Sequence, residues 1–135
     1  MENRTVFDTN IWISYFWNEK YDEIIKLKYE KNVRFLRSSE SVKELKTVLR
    51  REKFKKKNFE VNDLLEFYTG ISEFCETIPD FKDCPDPKDN FLFDLAIQGN
   101  ADFLVSGDKK VLETPLKSKN IKLRTLTAFK AEIKN

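Results

Sequence analysis

Histidine is missing from this chain altogether. Its absence excludes imidazole general bases, Ser-His-Asp triads and zinc sites built on imidazole ligands. Any chemistry must run on carboxylates, metals, hydroxyls or lysines. Cysteine is scarce: Cys75 and Cys84 are the only two, and no C-x-x-C pairs them. With no secretion signal, both are expected to be reduced thiols in a cytoplasmic protein. No apolar run approaches the ~20 residues needed to span a bilayer, and Met-Glu-Asn-Arg leads into a strand without a signal-peptide core. No membrane partner is therefore expected. Net charge is small as well, at +2, which does not by itself imply a nucleic-acid partner; distribution matters more.

What is present is enough for one folded domain over residues 1–135, with 40% hydrophobic, 13% aromatic and 36% charged residues. Strand and helix patterns alternate. A first strand ends at Phe7 and is followed by helical apolar residues from Ile11 to Leu27, with a break near Asn18. A second strand, Val33 to Arg37, meets the helix-entry cluster Ser38-Ser39-Glu40-Ser41. Val42, Leu45, Val48 and Leu49 form one apolar stripe, and Val61, Leu64, Leu65, Tyr68 and Ile71 form another. The spacing predicts a third strand at Cys75 to Ile78. Three prolines and three aspartates in residues 79–88 make the next segment a loop. Phe91 to Ala96 predicts a helix closed by Gly99-Asn100. Strands at 103–106 and 121–125 follow, and Thr127 opens a terminal helix. This order predicts a three-layer α/β/α sandwich on a mostly parallel sheet of about five strands.

In that topology four acids gather at the carboxyl edge of the sheet, where open α/β sheets bind ligands. Asp8 follows the first strand, and Glu44 lies a turn into the helix after the second. Asp89 follows the third strand and its loop; Asp108 follows the fourth. Each also has an ordinary explanation. Asp8 and Asp89 stand where a helix N-cap belongs, Asp108 follows a turn glycine, and Ser41-Val42-Lys43-Glu44 fits a capping box. All four together would need four coincidences. Carboxylates ~4 Å apart repel by ~4 kcal/mol at an effective dielectric of 20. Such a cluster calls for raised pKa values or for cations, and all-oxygen donors suit magnesium or manganese, one or two ions. Thr9, Asn10 and Ser106 are expected to fix the carboxylate rotamers by hydrogen bonds. Asp86 and Asp94 are candidates for the same supporting shell, although Asp94 should point about 140° from Asp89 on a helix.

A basic stretch follows the Glu44 helix: Lys46, Arg50, Arg51, Lys53, Lys55, Lys56 and Lys57, with one acid among them. It reads either as a solvated face or as a surface tracking RNA phosphates, with Phe54 and Phe59 available to stack on bases.

With those residues in place, the chain resembles PIN-domain proteins. Phe7-Asp8-Thr9-Asn10-Ile11 resembles the family's opening motif, and Ser41 to Leu45, with Glu44, its helix glutamate. Asp86-Pro87-Lys88-Asp89-Asn90, with Ala96 beyond it, resembles the segment that supplies the third acid. Phe103 to Asp108 resembles the closing strand-Gly-Asp motif. The resemblance spans about residues 4 to 130. It implies a magnesium- or manganese-dependent ribonuclease site at Asp8, Glu44, Asp89 and Asp108. It further implies a small VapC-like toxin of a type II toxin–antitoxin pair, blocked by a cognate antitoxin and commonly a homodimer. Lys109-Lys110 after Asp108 depart from the usual pattern, which leaves the RNA target open. The main alternative is a catalytically silent RNA- or partner-binding module on the same scaffold. A receiver- or phosphatase-type phosphotransfer domain ranks behind both, because Asn10 stands where such phosphatases need a second acid.

Overall fold

The computed structural model describes residues 2–51, 60–117 and 120–133. Five strands, β1 (Asn3–Phe7), β2 (Val33–Arg37), β3 (Ser72–Phe74), β4 (Phe103–Val105) and β5 (Lys122–Arg124), form one sheet in the order β3-β2-β1-β4-β5. Every pairing is parallel. Helices α1 (Thr9–Trp17) and α2 (Tyr21–Glu30) connect β1 to β2, and α3 (Ser39–Leu49) and α4 (Val61–Ile71) precede β3. A 3-10 turn at Pro87–Asp89 leads into α5 (Asn90–Gln98), which returns the chain to β4; α6 (Lys109–Leu112) and α7 (Leu126–Glu132) flank β5. Among the described residues no helix is long and apolar enough to cross a membrane.

Strand alternation divides the core into two layers, because successive side chains face opposite sides of a sheet. Phe7, Val33, Phe35, Phe103 and Val105 pack with Trp12, Phe16, Leu45, Leu49, Tyr68 and Phe129 on one face. Val6, Leu36 and Leu104 meet Leu92, Phe93, Leu95, Ala96 and Val111 on the other. The expected three-layer α/β/α sandwich is therefore present. The aromatic residues concentrate on the first face, where Phe7 meets Trp12, Tyr15, Phe35 and Phe129 at centroid distances of 4.9–6.2 Å.

Two local expectations are corrected, and the Gly99-Asn100 helix end takes a particular form. The third strand is Ser72–Phe74, not Cys75 to Ile78. It follows Ile71 of α4 without a loop and is held by Arg37, whose guanidinium donates to the carbonyls of Thr69 and Ser72. Ile78 finds its partner in a side chain: Gln98 accepts from its amide at 2.9 Å and donates to its carbonyl at 2.7 Å. The terminal helix opens one turn's edge earlier, with Thr125 as N-cap accepting from the Ala128 amide. At the end of α5, Asn100 rather than Gly99 takes the left-handed conformation (φ 54°).

Gly99 is required for a different reason. A Cβ there would lie 2.7 Å from the Leu95 carbonyl oxygen and 3.1 Å from Leu36 Cδ1. Gly99→Ala is expected to destabilise the fold by ~1–3 kcal/mol through overpacking. Urea denaturation checks this; an unchanged midpoint would show that the α5 terminus can move aside.

Candidate metal-dependent active site

Asp8 leaves the end of β1 while its amide continues the ladder to β4, donating to the Val105 carbonyl at 2.9 Å. β1 and β4 are adjacent strands from which the chain leaves in opposite directions, toward β2 and toward β5. This is the switch point of the sheet, where two connections diverge and leave a crevice. Asp8 and Asp108, which follow these two strands, are thereby brought side by side.

The serine between them organises both. Ser106 Oγ donates to Asp8 Oδ2 at 2.7 Å and accepts from the Asp108 amide at 3.0 Å, fully buried. Asp8 is itself 6% exposed. Burial pushes its pKa up and the nearby Asp108 charge adds to the rise, while Ser106 and the amides of Asn10 and Thr9 offset part of it. Ser106 thus does what the sequence suggested. The Thr9 and Asn10 side chains do not: among the described residues neither hydrogen-bonds a carboxylate, and only the nearby amides of the two residues favour the ionised form of Asp8.

Of the four acids only Asp108 serves as a helix cap, its Oδ1 accepting from the Lys110 amide at 2.9 Å. Asp8 and Asp89 stand at the N-cap positions of α1 and α5 and make no side-chain cap bond. The capping box expected at Ser41–Glu44 lies three residues earlier. Ser38 caps α3, accepting from the Ser41 amide at 3.2 Å while Ser41 Oγ accepts from the Ser38 amide at 2.8 Å. Tyr68 completes the network with a hydroxyl 2.8 Å from Ser41 Oγ. β2 ends at Arg37, so the first serine after it takes the cap. Glu44, half-buried, is released from any capping duty and lines a cleft instead.

Asp89 registers the convergence. Its pKa is pushed up to about 6, first by burial and then by the charges of Asp8, Asp86, Asp108 and Glu44. One carboxyl group is thus destabilised by all three of its predicted partners. Asp86 contributes as a neighbour that caps the 3-10 turn, accepting from the Lys88 amide at 3.2 Å. Asp94 does not join the acids. It is 7% exposed and accepts from the amides of Asp80 and Phe81 at 3.1 and 2.8 Å, anchoring the proline-rich loop to α5.

The donor chemistry fits a hard divalent cation: carboxylate oxygens only, mutually repelling, at a crevice open to solvent. Among the described residues, no three Asp, Glu, Cys or His side chains are already close enough to hold one. Binding would require the four acids to rotate toward each other.

The basic stretch is only partly described. Lys46 is half-buried and Arg50 and Arg51 are exposed, but α3 runs away from the sheet edge, which puts the two arginines roughly 15 Å of helix from its start. Lys53, Lys55, Lys56 and Lys57, with Phe54 and Phe59, lie outside the described residues. The lysines adjoining the acids in sequence are Lys43, Lys88 and Lys109, each single or paired within mixed charge.

Ser106→Ala should raise the Asp8 pKa further and leave the Asp108 amide unpaired. Its expected cost is ~1–3 kcal/mol in stability and about 10- to 100-fold in cation affinity or activity. Calorimetric titration with manganese checks it, and unaltered affinity would reduce Ser106 to a packing role.

Comparison with known proteins bears on the family and the fold. The family model described as PIN domain matches residues 4–110. Among solved structures, VapBC2 from Rickettsia felis, bound to a DNA fragment from their promoter, superposes with a TM-score of 0.60 at 19% identity. The match covers 90% of this chain and 98% of that one. Curated protein sequences give no match. From residue 4 through the closing Gly-Asp motif, this chain belongs to the PIN-domain family, whose members are in general nucleases.

Proposed function

We propose that the chain is a divalent-metal-dependent endoribonuclease, the cytoplasmic toxin of a type II toxin–antitoxin pair, acting as one nuclease domain over residues 1–135. The supporting observation is the convergence of Asp8, Glu44 and Asp108 on Asp89, with three of the four acids free of capping duty. A fold gains nothing from such repulsion, whereas a nuclease uses it to bind its cation. PIN-domain proteins generally use divalent metals. Bound among these acids, one or two magnesium or manganese ions would supply the Lewis acidity that activates water and offsets charge developing on the phosphodiester. Asp8, Glu44, Asp89 and Asp108 would hold the metal. Ser106 keeps Asp8 and the Asp108 turn in register, and Asp94 keeps the adjoining loop in place.

The likeness to VapBC2 supports the toxin assignment only through the fold. We include in the proposal a cognate antitoxin that covers the acids and a homodimer that aligns two sites on one RNA. The silent-module alternative draws on the lack of a ready-formed metal cluster among the described residues. Incubation with a mixed RNA pool, in manganese or in EDTA, separates the two. Manganese-dependent cleavage is the expected outcome; RNA binding without cleavage under any divalent cation would favour the silent module.

A further inference from the structure

Beside the acids lies a cleft of about 530 Å³ between α3 and the segment from Thr77 to Phe91. Of the four acids, Glu44 forms part of its wall. We infer that this cleft accepts a single unpaired base of the RNA next to the scissile phosphate, with Phe91 and Phe81 as its apolar walls. Lys43 and Lys88 then hold the flanking phosphates. This rests on the ribonuclease proposal and adds where the strand lies and in what form.

The volume falls within the ~300–1,000 Å³ of small-ligand sites, which suits one nucleotide turned out of its stack and not a duplex. The far wall is built to keep its shape. Asp94 holds the Asp80 and Phe81 amides, Asn90 Oδ1 accepts from the Cys84 amide at 3.1 Å, and Gln98 clasps Ile78. Phe81 is backed by Phe93, ring to ring at 4.5 Å and 16°, and lines the cleft. Phe91 is half-buried and lines the same space. A wall fixed in advance loses little entropy when a base stacks on it. Aromatic faces accept any base, at a typical gain worth about 5- to 150-fold in affinity per base.

Charge sets the orientation. Lys43, Lys82 and Lys88 line the cleft, and among the described residues none is in an ion pair. Lys43 adjoins Glu44 and Lys88 adjoins Asp89 in sequence, so both can follow a phosphate backbone toward the acids. Glu40, Asp80 and Asp94 line it along with Glu44 and repel phosphates there, which leaves that part for the base.

The test measures anisotropy of a labelled single-stranded oligoribonucleotide, and of the same strand in a duplex, with wild-type protein in EDTA. Single strands should bind at least about tenfold more tightly. Phe91→Ala should weaken single-strand binding about tenfold or more, and Lys88→Ala should lower the salt slope by about one. Circular dichroism of Phe91→Ala, compared with wild type, separates local unfolding from a lost base contact; the exposed Lys88 carries the test independently. Equal affinity for duplex and single strand, or unchanged binding by both variants, would overturn the cleft assignment. If manganese-dependent cleavage persists in that case, the ribonuclease proposal stands without the cleft. Selective single-strand binding without cleavage would leave the cleft and remove the nuclease.

Discussion

Asp8→Asn should abolish manganese-dependent RNA cleavage, by about 10³-fold or more, while making the metal-free protein more stable. The two effects have one cause. Asp8 is 6% exposed, its ionised form is disfavoured by burial and by Asp108, and its principal side-chain partner is Ser106 Oγ. Asparagine keeps the volume and an oxygen to accept from Ser106 but carries no charge. Folding then no longer has to bury a carboxylate facing other carboxylates. The cation loses an anionic donor at the same time. A cation at such a centre is worth several kcal/mol of transition-state charge stabilisation, and each 1.36 kcal/mol is tenfold in rate. Gel-based cleavage and thermal melting in EDTA test both halves. Retained cleavage would remove Asp8 from the metal site. Lost cleavage with lowered stability would mean that its charge is needed for folding, which the burial and repulsion around it argue against.

How far the sequence disclosed this site depended on how locally each part is determined. β1, β2 and the acids after β1 and β4 were legible because apolar runs of strand length fix where a parallel strand stops. The doubly connected topology then brings Asp8 and Asp108 together. Ser106 was legible for the same reason, being the last residue before the turn. Glu44 lies on the helix after β2, as expected, but its local frame differs from the expected one. Ser38-x-x-Ser41 and Ser41-x-x-Glu44 both satisfy a capping pattern, and only the end of β2 at Arg37 and the Tyr68 hydroxyl decide between them. β3 was misplaced because its three residues are stabilised from outside, by Arg37 and by pairing with β2, with no pattern of their own. Asp94 was beyond sequence reasoning: its angle from Asp89 was predicted, but not the loop amides it would meet. The cleft was invisible too, since its walls come from segments separated by a long stretch of chain, Glu40 to Thr47 on one side and Thr77 to Asp94 on the other. The basic stretch was legible as charge, but Lys53, Lys55, Lys56 and Lys57 lie outside the described residues.

Manganese should raise the melting temperature several-fold more at pH 8 than at pH 5, with Asp89 responsible for much of the difference. Asp89 in the folded protein has a pKa of about 6, above its ordinary 3.8. Between those values the folded state holds a proton that the unfolded chain has released. Asp89 therefore favours folding most at low pH, and its contribution is lost as pH rises through about 6. With solvent screening at a half-exposed carboxylate taken into account, the loss is ~1–2 kcal/mol. Above pH 6 the ionised Asp89 adds its charge to those of Asp8, Glu44 and Asp108, and a divalent cation offsets all of them. At a cation concentration 100 times its dissociation constant the gain is ~2.7 kcal/mol, about 5–15 °C for a chain of this size. At pH 5 protons already occupy most Asp89 groups and compete with the metal, so the increment shrinks. Asp89→Asn serves as the internal control. In EDTA it should melt above wild type at pH 8 and close to it at pH 4, and the extra stabilisation by manganese at high pH should largely disappear. A manganese increment of the same size at both pH values would show that Asp89 does not face the cation. No increment at either, in millimolar manganese, would leave the four acids without the ion that explains why they are together.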